Sequence, residues 1–157
     1  MTTIRQIRAN EIPLLDNFLY EAIFIPEGVS APPREIIENE ELQVYVRDFG
    51  SQPDDRCLVA ECDGQVIGAV WSRIMDDYGH IAADTPSLAM SLYKEFRHMG
   101  IGTELLLRML QLLCEDGYKR VSLSVQKANY AVRMYRRGGF EVIGETEEEF
   151  IMVCNLK

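Results

Sequence analysis

The stretch Tyr-Lys-Glu-Phe-Arg-His-Met-Gly-Ile-Gly at residues 93–102 lies where the sequence pattern changes from a strand to a helix. Before it, apolar residues recur at every second position between Ser87 and Leu92, and this period of two predicts a strand. After it, residues 103–114 are rich in Leu and Met, with polar residues every three or four positions. That spacing predicts an amphipathic helix, so an arginine and two glycines lie at a strand-to-helix turn.

The turn has the features of an anion-binding site. The first amides of a helix have no partners inside the helix, and the helix dipole places partial positive charge beside them. Gly100 and Gly102 allow a tight turn and let a ligand approach the backbone, while Arg97 adds a forked, charged donor. A phosphate or pyrophosphate suits such a turn. The alternative is a turn that needs glycine for its dihedral angles alone.

The glycine spacing does not fit the two common phosphate loops. The sequence lacks G-x-x-x-x-G-K-[ST], and no third glycine or later acidic residue completes a dinucleotide fingerprint. The pattern Arg97-x-x-Gly100-x-Gly102 resembles instead the acetyl-coenzyme A signature of the GNAT superfamily of N-acetyltransferases, [Q/R]-x-x-G-x-[G/A]. Residues 129–141 are similar to a second family motif, N-x-x-A-x-x-x-Y-x-x-x-G-F-[EKR], with Ala131 one position early. Two motifs at about the usual separation are far more specific than either alone.

Length and composition favour one globular domain. The chain has 157 residues, of which 47% are hydrophobic and 26% are charged, a balance typical of a soluble protein with its own core. We therefore expect a single GNAT domain over residues 1–157. No apolar run resembles a signal peptide or reaches transmembrane length, so we expect a cytoplasmic protein that does not act at a membrane.

Charge and cysteine content argue against other classes. The formal net charge of −9 makes nucleic acid a poor partner; it suits a cationic substrate, or it simply aids solubility. The cysteines form no C-x-x-C pair, and only His80 and His98 could supplement them as ligands. We therefore expect reduced cysteines and no metal site. The four cysteines are Cys57, Cys62, Cys114 and Cys154.

The first fifty residues are predicted to form a strand and two helices. Alternation indicates a strand at residues 4–8, and Asn10 can cap a following helix that continues to about Ala22. A loop rich in proline then breaks the helical pattern. A second helix is expected to begin near Arg34, and Gly50 closes it.

The remaining elements alternate between strands and helices. Asp63-Gly64 lies between two runs rich in β-branched residues and predicts a hairpin, and residues 76–86 read as a loop. Gly117 caps the long helix, and Asn129 can cap a short helix that ends at Gly138-Gly139. The predicted strands after the first one span residues 57–62, 65–75, 87–92, 120–126, 140–145 and 150–156.

The predicted element order is β-α-α-β-β-β-α-β-α-β-β. This order agrees over essentially the whole chain with the GNAT fold. The fold class is therefore α/β (α+β), with a mixed, mostly antiparallel central sheet flanked by helices.

The resemblance implies acetyl-coenzyme A as the cofactor. The backbone from Met90 to Leu92 would pair with the pantetheine arm, and the amides from Arg97 to Thr103 would hold the pyrophosphate. Asn129 would contact the pantetheine or stabilise its helix. The residues assigned to the cofactor are Met90, Ser91, Leu92, Arg97, His98, Met99, Gly100, Ile101, Gly102, Thr103, Asn129 and Tyr135.

The same resemblance implies direct attack of a primary amine on the thioester, through a tetrahedral intermediate. The Leu92 amide would stabilise the oxyanion, and Tyr135 would protonate the leaving sulfur. A core aromatic residue is the alternative for Tyr135. The central strand carries no acidic residue, although Asp84 and Glu95 flank it. We therefore expect a water chain to remove the amine proton, with His80 as a further candidate base.

The acceptor is expected to be a small-molecule or peptide amine. In the GNAT fold its pocket is formed by the first two helices, their loop and the loop before the central strand. Phe24 and Trp71 could instead be core residues, and Asp76 and Asp77 a solvated turn. The main rival is a non-catalytic GNAT-fold sensor or interaction module. An acyl-carrier-type module is disfavoured because this sequence has no Ser attachment motif. Dimers are common in the GNAT family, so a homodimer is a further expectation. Candidate substrate residues are Tyr20, Phe24, Trp71, Tyr78 and His80.

Overall fold

A seven-stranded sheet forms the centre of the computed structural model, which describes residues 1–156. The spatial order of the strands is β1-β2-β3-β4-β5-β7-β6. Strands β4 and β5 run parallel, and the other neighbouring pairs run antiparallel. The predicted mixed, mostly antiparallel sheet is confirmed. The strands are β1 (Thr2–Gln6), β2 (Arg56–Cys62), β3 (Gln65–Arg73), β4 (Ser87–Leu92), β5 (Arg120–Gln126), β6 (Glu141–Glu145) and β7 (Glu149–Asn155).

Helices cover both faces of the sheet. On one face, Leu105, Met109 and Leu113 of the long helix α3 pack in a core with β-strand residues. On the other face, Phe18 of α1 packs in a second core with Trp71 of β3. No helix within residues 1–156 is long and apolar enough to cross a membrane. The α-helices are α1 (Leu15–Glu21), α2 (Glu40–Gln43), α3 (Ile101–Glu115) and α4 (Ala131–Arg137), and 3-10 helices span Ala9–Leu14, Arg34–Glu38 and Lys94–Phe96.

The start of the first helix differs from the prediction. Strand β1 ends at Gln6, and a 3-10 helix begins at Ala9, so Asn10 lies inside it instead of capping it. The side chain of Glu11 accepts a hydrogen bond from the Arg8 backbone N–H at 2.8 Å. It also accepts two from the Arg5 guanidinium, at 2.9 and 2.7 Å. A carboxylate that satisfies the first amides and pairs with β1 fixes this helix start.

The second predicted helix is broken into short pieces. Asn39 is extended, with φ −62° and ψ 139°, and α2 covers only four residues. The guanidinium of Arg73, which is 2% exposed, donates to the carbonyls of Val44 at 3.2 Å and Arg47 at 2.8 Å. It also forms a buried ion pair with Asp55 at 3.0 Å. The hydrogen bonds from Arg73 tie the backbone carbonyls of residues 44 and 47 to β3. Because these carbonyls bond to the sheet, the segment does not continue as a regular helix.

Local turn signals are confirmed. Asp63 and Gly64 join β2 to β3 with φ of 50° and 81°, the left-handed pair that a tight hairpin requires. Gly117 ends α3 with φ of 92°, and the Tyr118 N–H returns to the Leu113 carbonyl at 3.1 Å. Both positions need glycine or a short polar residue because other side chains are strained there.

Strands β4 and β5 separate soon after they meet. Their pairing consists of Ser87 opposite Ser122, with the Ser122 N–H donating to the Pro86 carbonyl at 3.0 Å. On the other side of β4, the Tyr93 N–H donates to the Ile67 carbonyl of β3 at 3.0 Å. Because strand amides alternate in direction, the amides of Met90 and Leu92 point toward β5. Within residues 1–156 no further β4–β5 pairing follows, so these amides face a gap.

Candidate active site

A groove of about 1420 Å³ follows the gap between β4 and β5. Typical pockets for small ligands measure roughly 300–1,000 Å³, so this groove has room for two ligands. It is lined by both separated strands, the start of α3, most of α4 and the segment that follows α1. A smaller cavity of about 450 Å³, lined mainly by polar side chains between residues 16 and 47, contains none of the predicted site residues.

Residues that face opposite sides of the sheet line the gap. Leu88, Leu92 and Val125 belong to the core on the α3 side. Ala89 belongs to the core on the α1 side, and the neighbouring Ser91 hydroxyl donates to the Phe18 carbonyl of α1 at 2.6 Å. Side chains alternate along each strand, so Ser124 and Gln126 of β5 also face the α1 side. Two ligands can therefore meet in the gap from opposite faces.

The turn before α3 forms one end of the groove, here called the turn end. Gly100 precedes the helix with φ of 84°, and His98 has φ of 64°. Left-handed residues beside a helix start turn successive amides toward one side and form an anion-binding concavity. A Cβ on Gly102 would lie 3.5 Å from both Met134 Sδ and Met90 Cε. The close packing places the first turn of α3 directly against β4 and α4.

The side chain of Arg97 holds this turn in place. Its Nε donates to the Leu92 carbonyl at 3.0 Å. Its Nη2 donates to the carbonyl and to the carboxylate of Glu21, each at 3.2 Å. We expected this guanidinium to be a donor for a phosphate. In the structure it ties the turn to the end of β4 and to the end of α1, which leaves the anion to the backbone amides.

Tyr135 reaches the groove from α4. Its side chain is 8% exposed and lines the groove, with the ring edge-on to Phe140 at a centroid distance of 5.7 Å. Burial raises the pKa of the phenol, with the nearby Tyr130 adding to the effect. The hydroxyl forms no hydrogen bond with residues 1–156. The residue is largely buried, yet its hydroxyl is not among the fully enclosed unpaired atoms, so the hydroxyl is open to a ligand in the groove.

Two chain segments orient α4 and its tyrosine. The Asn129 Oδ1 accepts a hydrogen bond from the backbone N–H of Ala131, the first residue of α4, at 2.9 Å. After the helix, Gly139 adopts φ of 106°, and the Phe140 N–H donates to the Tyr135 carbonyl at 3.0 Å. Both ends of the short helix are therefore fixed by local hydrogen bonds.

The family comparison agrees with this geometry. The sequence model of the acetyltransferase (GNAT) family matches residues 21–140, which is most of the chain. The chain belongs to the GNAT family. A comparison with curated proteins finds no match.

Solved structures of GNAT proteins share the whole fold. The PaiA N-acetyltransferase of Thermoplasma acidophilum, solved with coenzyme A, has a TM-score of 0.72 at 22% identity, covering 99% of both chains. A GNAT acetyltransferase of Streptococcus pneumoniae has a TM-score of 0.72 at 20% identity over all of both chains. A phosphinothricin acetyltransferase of Sinorhizobium meliloti, solved with acetyl-coenzyme A, reaches 0.68 at 18%, covering 99% of this chain and 88% of the other. At these identities the likeness shows the fold alone.

Most residues that the GNAT motifs assign to the cofactor line the groove. Met99 and Ile101 lie in the turn but do not line it, and Met99 is 66% exposed. The assigned residues that do line it are Met90, Ser91, Leu92, Arg97, His98, Gly100, Gly102, Thr103, Asn129 and Tyr135.

The candidate substrate residues divide into two groups. Tyr20, Phe24 and Tyr78 line the groove. Trp71 does not, since it is 0% exposed in the core beneath α1 and its Nε1 donates to the Tyr45 carbonyl at 3.1 Å. His80 lies outside the groove, and its Nδ1 is buried with no hydrogen-bond partner among the described residues. Neither Trp71 nor His80 lines the groove in this structure, so a direct contact of either one with the substrate stays a prediction.

The loop before β4 is packed tightly against β5. A Cβ on Gly79 would lie 2.8 Å from the backbone of Leu123 and Ser124, and the Ser122 hydroxyl donates to the Gly79 carbonyl at 2.7 Å. The Ser87 hydroxyl donates to Asp77 at 2.7 Å. These contacts bring the neighbouring Tyr78 to the rim of the groove.

The groove also contains residues that sequence reasoning missed. They lie at the end opposite the turn, on the α1 side of the sheet, here called the α1 end. Burial raises the pKa of Tyr45, and the nearby Asp77 carboxylate raises it further. The alternation of polar residues along β5 indicated that one face of this strand is in contact with solvent or a ligand. The missed residues outside β5 come close to it only in the folded chain, so no local pattern could identify them. The missed residues are Glu41, Tyr45, Ser124, Gln126 and Glu149.

Proposed function

We propose that this chain is an N-acetyltransferase that moves an acetyl group from acetyl-coenzyme A to a primary amine of a small molecule or peptide. One observation carries the proposal. A single groove joins the unpaired amides of Met90 and Leu92, the first amides of α3 and the unpaired hydroxyl of Tyr135. Acetyl transfer from coenzyme A needs a site for the cofactor's pyrophosphate, a donor for the oxyanion and an acid for the leaving sulfur, and this groove contains a candidate for each.

The cofactor would lie along the gap. The outward amides of β4 pair with a pantetheine arm in the way that an edge strand pairs with a peptide. The amides at the start of α3 hold the pyrophosphate. Arg97 acts as a positioning residue, because its guanidinium fixes the turn through Leu92 and Glu21. Bound acetyl-coenzyme A supplies the thioester that the amine attacks.

Two groups then act at the reaction centre. The Leu92 amide donates to the oxygen that gains charge, and the Met90 amide faces the same gap. Tyr135 gives its proton to the departing sulfur as the carbon–sulfur bond breaks, and the proton that the attacking nitrogen loses passes through water and restores the phenol. Burial raises the pKa of Tyr135 above its usual value of about 10, so the phenol stays protonated throughout the neutral range. A protonated phenol is the form that a general acid requires.

Three further parts of the proposal do not depend on the groove. On the sequence pattern, we propose that residues 1–157 act as one catalytic domain and that the enzyme works in the cytoplasm. On the resemblance to the family, in which dimers are common, we propose that it forms a homodimer.

Amine-dependent release of thiol tests the proposed activity. We expect the purified protein to release free coenzyme A from acetyl-coenzyme A when a suitable amine is present, and to give the acetylated amine by mass spectrometry. Calorimetry should show binding of coenzyme A by the same preparation. Tight binding with no thiol release across a broad amine panel contradicts catalysis and favours the non-catalytic sensor.

The carboxylates beside β4 are expected to be dispensable. Asp84 is 79% exposed and lies 3.9 Å from Arg120, and Glu95 is exposed in the 3-10 helix. Neither lines the groove. Since neither can reach the acceptor amine in this arrangement, Asp84→Asn and Glu95→Gln should each keep turnover within about twofold of wild type. A collapse of turnover with intact coenzyme A affinity would identify a side-chain base.

A further inference from the structure

The α1 end of the groove has a small-residue floor and aromatic walls. The floor consists of Ala89 and Ser91 of β4 with Ser124 of β5, all on the α1 face of the sheet. Tyr45 and Tyr78 stand around it. Small floor residues leave room for a ligand above the gap, and aromatic faces attract cations.

The charges that line the groove lie on different elements. Lys94 and Arg97 lie beside the turn and Arg137 lies on α4, with Glu21 paired to Arg97. The remaining charged side chains that line the groove are Glu27, Glu41 and Glu149. The cations suit a phosphate-bearing ligand, and the carboxylates suit a positively charged one.

Two of these carboxylates converge on the same aromatic wall. Burial raises the pKa of Tyr78, the carboxylate of Glu41 at the start of α2 raises it further, and the charge of Glu149 on β7 adds to the effect. Glu149 also contributes to the raised pKa of Tyr45, behind burial and Asp77. The Gln126 side chain donates to the Glu149 carboxylate at 3.0 Å, which holds it on the α1 face. Residues far apart in sequence thus line the same groove beside the two tyrosines.

We propose that the α1 end selects acceptor amines that carry a second positive charge, with linear diamines as the small-molecule class, and that Glu41 and Glu149 hold the charged end. This inference rests on the proposed acetyltransferase function. One amino group, deprotonated, reaches the gap beside Leu92 and Tyr135. The other stays protonated between the two carboxylates and the Tyr78 ring.

The physical basis is charge pairing at the rim of the groove, where Glu41 is exposed and Glu149 is half-buried. Hydrogen bonds between an ammonium group and carboxylates are stronger than neutral ones. A monoamine of the same length leaves the two carboxylates without a positively charged partner in the groove. An amine that carries a carboxylate brings a like charge close to them, which is unfavourable.

Three acceptors of one chain length isolate the effect. Hexylamine, 1,5-diaminopentane and 6-aminocaproate each carry a primary amine on five methylenes that end in a methyl, ammonium or carboxylate group. By thiol release, kcat/KM should be roughly tenfold or more higher for the diamine than for the monoamine, corresponding to one charge-assisted contact. Aminocaproate should be the poorest of the three. Equal values for diamine and monoamine, or a preference for aminocaproate, overturn the inference.

Substitution of the two carboxylates tests the assigned residues. Each of Glu41→Gln and Glu149→Gln should reduce the ratio of diamine to monoamine kcat/KM, mainly through KM, and the double variant should bring it close to one. Glu147→Gln is the matched control, because Glu147 is exposed on the β6–β7 turn and does not line the groove. A ratio that survives in the double variant contradicts the assignment. A lysine-containing peptide that outperforms every diamine contradicts the small-molecule class.

A binding measurement separates this inference from the proposed function. Coenzyme A is titrated first, and each acceptor is then titrated into the saturated protein by calorimetry. If coenzyme A binds but no amine releases thiol, the proposed catalysis fails. The inference still predicts tighter binding of the diamine than of hexylamine, lost in the Glu41→Gln/Glu149→Gln double variant. Equal binding of both amines overturns it.

Discussion

Tyr135→Phe is expected to lower the turnover number by ~10²–10⁴-fold, the usual contribution of a general acid or base. The substitution removes the hydroxyl and keeps the ring, so the contact with Phe140 at 5.7 Å survives. Because the hydroxyl acts on the leaving sulfur in the transition state, affinity for acetyl-coenzyme A should change little. Steady-state kinetics, calorimetry and thermal unfolding of one variant measure all three quantities.

The opposing view of Tyr135 as a core aromatic makes a different prediction. A buried and bonded hydroxyl contributes about 1 kcal/mol of stability when it is intact, but the Tyr135 hydroxyl has no hydrogen bond among residues 1–156. Its removal should therefore leave the melting temperature almost unchanged. Turnover within twofold of wild type would end the assignment of Tyr135 as the acid.

Tyr118→Phe supplies the contrasting control. The Tyr118 hydroxyl donates to Asp54, and neither residue lines the groove. The same chemical change there should lower stability and leave turnover intact. A pair of variants with opposite outcomes separates the loss of an acid from the loss of a structural hydrogen bond.

Local patterns were enough to predict most of the fold. The hairpin at Asp63-Gly64 follows from the backbone angles of two adjacent residues, and α3 follows from its own hydrophobic period. The prediction was wrong where distant residues decide the local structure. The carbonyls of Val44 and Arg47 bind Arg73, and no pattern within residues 34–50 contains that contact.

The candidate site divides along the same line. The turn end lies in one continuous stretch, so its glycines could be recognised from their spacing. The Arg97 side chain pairs with Glu21, which is 76 positions away in the sequence. The motif alone therefore could not show that Arg97 positions the turn. Trp71 lies in a strand that is buried on both faces. The sequence of this strand therefore has no alternation of polar and apolar residues from which the direction of the Trp71 side chain could be predicted. The α1 end joins residues of α2, β5 and β7, and only the folded chain brings them together.

Gly102→Glu is expected to reduce coenzyme A affinity on the order of 10²-fold or more, because it places a negative charge among amides proposed to hold a pyrophosphate. Like charges brought together in a binding site cost several kcal/mol, which corresponds to a change of that size. A Cβ at this position would point toward Met134, Met90 and Leu92, which line the groove, so the new carboxylate would also take up space in the groove. Calorimetry with coenzyme A measures the loss directly.

Gly102→Ala separates the charge from the bulk of the new side chain. An alanine Cβ would meet Met134, Met90 and Leu92 at 3.5–3.6 Å, which is ordinary van der Waals contact, and alanine favours a helix more than glycine does. The alanine variant should therefore fold at least as well as wild type and keep most of its affinity. Circular dichroism and thermal unfolding confirm the folded state of both variants. A folded Gly102→Glu protein that binds coenzyme A as tightly as wild type would remove the turn from the site, because no anion held by these amides tolerates a carboxylate beside them.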